Sequence, residues 1–230
     1  MRTIGVLGGM TWHSSAEYYR LLNVAANARL GGVHSARCVL LSVDMAPIDD
    51  LMATGRWEEA GTQLAADAQA VESAGAELFI LATNSLHNVW ETIVAGLTIP
   101  AIHIGDATGE ALHRDGHERV ALLGTRYTME LPFLRGRLEE RFGLTVIVPE
   151  QPERELLHRA VFEELAVGVF RDETRAALVA VIERLAGQGA TAAILGCTEF
   201  GLLVRPGDVD LPLYDTAQLH AAAAIDAALR

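Results

Sequence analysis

Two stretches decide the fold. Residues 4–22, IGVLGGMTWHSSAEYYRLL, resemble residues 120–138, VALLGTRYTMELPFLRGRL, with Gly8 matching Gly124 at an offset of 116. Residues 74–87, AGAELFILATNSLH, resemble residues 188–201, QGATAAILGCTEFG, with Gly75 matching Gly189 at an offset of 114. A third pair keeps the same order: Ile99-Pro100 ahead of AIHIGDAT matches Leu211-Pro212 ahead of LYDTAQ, at an offset of 112. Three landmarks at nearly constant spacing indicate a duplicated unit of four strand–helix elements.

Around these landmarks, short β-rich runs alternate with longer helical segments. Strands are expected at 3–7, 37–43, 78–82, 101–104, 119–123, 145–148, 192–195 and 212–214. Helices are expected at 15–29, 57–74, 129–141, 154–169 and 171–187, where apolar residues recur three and four apart. Apolar strands alternating with helices imply parallel sheets covered on both faces, an α/β fold. The expected division is a first unit of residues 1–112 plus 216–230 and a second of 113–215, the Ala-rich tail HAAAAIDAALR returning to the first.

Composition narrows the function. The chain has 230 residues, and all 18 basic residues are arginine against 30 Asp and Glu, a formal net charge of −12. Without lysine there is no Schiff-base or pyridoxal-phosphate chemistry and no P-loop lysine. The acidic balance argues against nucleic-acid and anionic-membrane partners, which reward clustered positive charge. Two cysteines are too few for a disulfide framework or a thiolate zinc site, and the histidines have no metal-ligand spacing, so neither metal nor cofactor is expected. The start MRTIGVLGG has no signal-peptide shape and no apolar run reaches membrane-spanning length, giving an expected cytoplasmic location.

In open α/β sheets ligands gather beyond the carboxyl ends of the strands. Two facing units would enclose one site between them, with Thr83 opposite Cys197 at their shared offset of 114. Gly196-Cys197-Thr198-Glu199 follows a buried strand and should open a helix, whose amides and dipole favour a thiolate and a lowered cysteine pKa. Cys38, inside the apolar run RCVLLSV, reads as core. Asn84, Ser85, Thr125 and Thr198 are candidate donors to a carboxylate, and the turns at Gly8-Gly9-Met10 and Gly124-Thr125 let backbone approach a ligand. His87 reads as a core or helix-face histidine.

Gly8-Gly9-Met10, TNSLH, GTRYTM, GCTE and YDTAQLHA together resemble the aspartate/glutamate racemase family, nearly end to end and in order. The resemblance implies two pseudo-symmetric α/β units, each with a four-stranded parallel sheet, an active site in the cleft between them, and a homodimer. It also implies cofactor-independent racemization of an amino acid, two opposed cysteines removing and returning the α-proton. The second of those cysteines is Cys197. The first falls on Thr83, whose hydroxyl is far less acidic than a thiol, so the Thr83 side should be slow and one enantiomer favoured. Family members with threonine here resemble a sub-branch associated with acidic amino acids. No lysine is present to hold a distal carboxylate. The substrate, aspartate or glutamate or a broader set, is expected to meet Met10, Met52, Asn84, Ser85, Thr125, Thr128, Thr198 and Glu199. Two alternatives stand beside this: a cofactor-free malonate-type decarboxylase of the same superfamily, and an amino-acid-binding protein with degraded catalysis.

Overall fold

The computed structural model describes residues 1–230. Its elements run β1 (Ile4–Gly8), α1 (Trp12–Leu30), β2 (Cys38–Ser42), α2 (Met45–Ala53), α3 (Trp57–Ser73), β3 (Leu78–Leu81), α4 (Trp90–Val94), β4 (Ala101–Ile102) and α5 (Ile104–Arg114). They continue with β5 (Arg119–Gly124), α6 (Arg126–Glu130), α7 (Pro132–Phe142), β6 (Thr145–Ile147), α8 (Gln151–Glu163), α9 (Asp172–Gly187), β7 (Ala192–Gly196), α10 (Phe200–Leu203), β8 (Leu213–Asp215) and α11 (Thr216–Leu229). Short 3₁₀ turns cover Ser85–Val89 and Leu165–Val167. All eight expected strands are present, each within two residues of its expected ends.

The strands form two four-stranded parallel sheets, ordered β2-β1-β3-β4 and β6-β5-β7-β8. The two orders are the same order. Contacts divide the chain into Met1–Ile104 with His220–Arg230, and Gly105–Leu219. The tail therefore belongs with the first unit, where the Arg2 N–H donates to the Ala228 carbonyl at 2.8 Å.

Strand order explains which runs look continuously apolar. β1, β3 and β7 are buried throughout and β5 from Val120 onward, because each has a strand on both sides and helices on both faces. In the second unit, residues along β5 and β7 alternate between two cores. Ala121, Leu123, Ala193 and Leu195 pack with α8 and α9 through Leu157, Val161, Leu178 and Ile182. Val120, Leu122, Ala192 and Ile194 pack with α5 and α7 through Leu112, Leu134 and Leu138. Cys38, expected as core, lies instead on the edge strand β2 and is half-buried.

Local chemistry sets the helix ends. The single helix expected at 129–141 is two, since Leu131 precedes Pro132 and is extended, with φ −80° and ψ 147°. α8 starts earlier than expected because Glu150 and Glu153 form a reciprocal capping box. It stops at Glu163, short of the expected 169, and Gly168 closes the following 3₁₀ turn in the left-handed region at φ 79°. Arginines pair with acids between elements: Arg137 grips Asp106 bidentately at 2.6 and 2.8 Å, Arg154 meets Glu130, and Arg184 meets Glu153. No helix is long and apolar enough to cross a membrane.

Candidate active site

In the second unit the chain leaves β7 at Gly196 and turns through Cys197. The thiol is 7% exposed, and its Sγ–H donates to Glu199 Oε2 at 3.0 Å. The Thr198 hydroxyl donates to the same carboxylate oxygen at 2.7 Å. Glu199 is itself buried, so its charge is held by these two neighbours and acts on the sulfur at short range. Asp215, at the end of the adjacent strand β8, caps α11 through the Ala217 and Gln218 N–H groups and adds negative potential at Cys197.

This environment reverses the expected pKa shift. α10 is only four residues long, a single turn with little dipole to offer. Burial, then the charge and hydrogen bond of Glu199, hold the Cys197 thiol well above its ordinary value, and Asp215 pushes the same way. Cys197 rests as a protonated thiol beside a proton acceptor. Glu199, expected to face the substrate, faces the sulfur.

The adjacent strand supplies a second loop. Gly124 pairs in register with Gly196, so the residues after β5 and β7 leave the sheet side by side. Thr125 caps α6, accepting from the Thr128 N–H at 3.3 Å, and the two hydroxyls lie 3.3 Å apart. Thr128 has no exposed surface and stands behind Thr125. The strand-end glycines make room for it: a Cβ on Gly124 would lie 2.9 Å from the Thr128 Cβ, and one on Gly196 would lie 3.0 Å from the Thr128 Cγ2. Arg126 is exposed, with its guanidinium over the Tyr127 ring at 5.7 Å.

In the first unit the chain leaves β3 at Leu81 and passes through Ala82, Thr83 and Asn84 into the 3₁₀ turn at Ser85. Thr83 is 8% exposed, and Asn84 and Ser85 are buried beside it. The Thr83 N–H donates to the Leu81 carbonyl at 2.9 Å, and its carbonyl accepts from His87 Nδ1 at 2.7 Å. No charged side chain comparable to Glu199 follows Thr83 in its loop. Met10 and Met52 are both buried, Met10 in the turn after β1 and Met52 on the inner face of α2 with Ile48 and Leu51.

The glycine turn after β1 has a structural cause. Gly9 has φ +98°, and a Cβ there would come within 2.2 Å of the Val43 carbonyl. The close approach is to the chain's own β2–α2 loop, where sequence suggested a ligand. Its N–H donates to Ser15 Oγ at 2.6 Å, tying the turn to α1.

Comparison with known proteins gives the family and the fold. A crystal structure described as that of an Asp/Glu racemase candidate from Yersinia pestis is 43% identical over 100% of both chains, with a TM-score of 0.91. An aspartate racemase homologue from Pyrococcus horikoshii OT3 is 33% identical over 100% of both chains, with a TM-score of 0.87. The Picrophilus torridus aspartate racemase shares the fold at 20% identity, with a TM-score of 0.80 over 99% of this chain and 94% of that one. The family model described as Asp/Glu/Hydantoin racemase matches residues 7–224, and the chain belongs to that family.

Proposed function

We propose that the protein is an amino-acid racemase acting on aspartate or glutamate, without a cofactor, by removal and return of the α-proton. The observation that carries this reading is the buried Cys197–Glu199 pair at the end of β7, with the thiol proton already aimed at a carboxylate 3.0 Å away. The two relatives above 30% identity point to the same substrate class by the names they carry.

In the proposed cycle Glu199 takes the Sγ proton as substrate binds, and the thiolate so formed removes the α-hydrogen from one face. A thiolate made only at that moment is a strong base in a dry site, because burial disfavours its charge and raises its proton affinity. The second proton-handling group of the cycle is Thr83. Its hydroxyl relays a proton less readily than a thiol, so the two directions run at unequal rates. Asn84, Ser85 and Thr125 hold the substrate carboxylates by hydroxyl and amide donors and stabilise the charge that moves onto the α-carboxylate as the proton leaves.

The active form is read as a homodimer. Trp12 and Tyr19, 64% and 56% exposed, share one face of α1 with the exposed Leu30, and Leu40 is exposed on the edge strand β2. Exposed apolar side chains along one helix face favour burial against a second copy. Light scattering is expected to give twice the chain mass, and Tyr19→Glu to shift it toward the single chain.

The test of activity is proton NMR of α-hydrogen washout in D₂O, with L- and D-aspartate and L- and D-glutamate measured separately. Exchange is expected with an acidic amino acid, faster for one enantiomer, and lost in Cys197→Ala. Exchange that persists unchanged in Cys197→Ala, or its absence from the wild type with all four substrates, would sink the reading.

A further inference from the structure

His87 is 2% exposed and uses both ring nitrogens. A carbonyl only accepts, so Nδ1, 2.7 Å from the Thr83 carbonyl, carries the hydrogen. Nε2 then has the free lone pair and accepts the Ile104 N–H at 3.3 Å. One neutral tautomer satisfies both ends. An imidazolium would set a second N–H against that of Ile104.

The ring cannot turn away from this arrangement. It stacks on Trp90 at 4.9 Å with planes 9° apart, and His103 meets it edge-on at 4.5 Å. His220, on α11, lies 6.0 Å off and is fixed in turn, its Nε2 donating to the Ile102 carbonyl at 2.8 Å and its Nδ1 accepting from the Tyr18 hydroxyl at 3.0 Å. Burial and the neighbouring His103 and His220 push the His87 pKa well below its ordinary value, which keeps the ring in the form the two hydrogen bonds need.

What the ring joins is the loop after β3 to the start of α5. Thr83 lies outside both the strand ladder and the following 3₁₀ turn; its N–H bonds to the Leu81 carbonyl, and its own carbonyl is held by the His87 ring. We propose that His87 is the positioning residue for Thr83. Through the Thr83 carbonyl it sets where the hydroxyl stands, and so the rate of the proton transfer that Thr83 serves. It does this without touching the substrate. The proposal rests on the racemase reading, and it assigns His87 an effect on one direction of the reaction only.

The experiment measures α-hydrogen exchange in D₂O with each enantiomer of aspartate and glutamate for wild type, Thr83→Ala, His87→Phe and His87→Asn. Thr83→Ala identifies the enantiomer that depends on Thr83. His87→Phe keeps a ring against Trp90 and loses both polar contacts. It is expected to slow that same enantiomer about tenfold or more, as misplacement of a reacting group does, and to leave the other nearly unchanged. His87→Asn, whose amide N–H can reach the Thr83 carbonyl, is expected to restore most of the loss, and it decides the matter if His87→Phe does not fold. Equal losses for both enantiomers, or no recovery in His87→Asn, would overturn the proposal and leave the racemase reading intact. A wild type without exchange would overturn both.

Discussion

Thr83 and Cys197 stand at the same point of two sheets with the same strand order, each just beyond the third strand of its unit along the chain, yet their surroundings have opposite chemistry. Cys197 meets its partner side chain to side chain, thiol to Glu199 carboxylate. Thr83 meets its partner through its backbone, carbonyl to His87 imidazole. One loop sets a thiol against a carboxylate, and the other ties its backbone to an imidazole. A duplicated backbone can thus keep its geometry while acid–base capacity is redistributed by a residue two to four positions downstream.

The sharpest way to break this contrast is to remove the thiol. Cys197→Ala is expected to lower α-hydrogen exchange by about 10²–10⁴-fold, the usual worth of a positioned acid–base group, read by NMR in D₂O. Removing only the charge beside it tests how the thiol is activated. Glu199→Gln is expected to lower the Cys197 pKa, because the carboxylate's charge and hydrogen bond both raise it, while exchange falls about 10²-fold for want of a proton acceptor. Thiolate absorbance against pH and the exchange rate should therefore move in opposite senses; a pKa that rises would refute the assignment.

The histidine side of the contrast is sharpened by pH. Burial lowers the His220 pKa to about 4 from 6.5, so the unfolded chain takes up a proton before the folded one does. Stability is full above the unfolded value and is lost as pH falls from 6.5 to about 4, by about 3 kcal/mol at most. Denaturant midpoints should drop across that window, and His220→Gln should flatten the slope even if it is less stable at neutral pH. The smallest effect is the most direct. Thr83→Cys is expected to speed the slower enantiomer about tenfold, since a thiol yields its proton far more readily than a hydroxyl, and to leave the faster one near its wild-type rate.

Much of this was legible in the sequence. The repeat of IGVLGG as VALLGT, and of FILATN as AILGCT, carried the duplicated four-strand unit, and these apolar runs are the strands flanked on both sides. Edge strands were harder. RCVLLSV reads as core, yet β2 pairs on one side only, and Cys38 is half-buried. The site divided in the same way. Position after a strand pointed to Cys197 and Thr83, but the direction of the thiol's pKa did not follow from position. It depends on Glu199 folding back onto the sulfur and on α10 being a single turn, and both are tertiary facts. His87 was legible as a core histidine. Its second contact, Ile104, lies 17 residues on at the start of α5, and no local spacing signals that pairing.

A thiol kept protonated by burial and by the carboxylate beside it is also a poor target for oxidants and alkylating agents, which react with the thiolate. Peroxide or iodoacetamide should therefore find Cys197 slowly in the resting protein. An amino-acid-shaped electrophile that prompts transfer of the proton to Glu199 would meet the same sulfur in its nucleophilic form, so selectivity in covalent labelling would come from mimicry of the substrate more than from intrinsic reactivity.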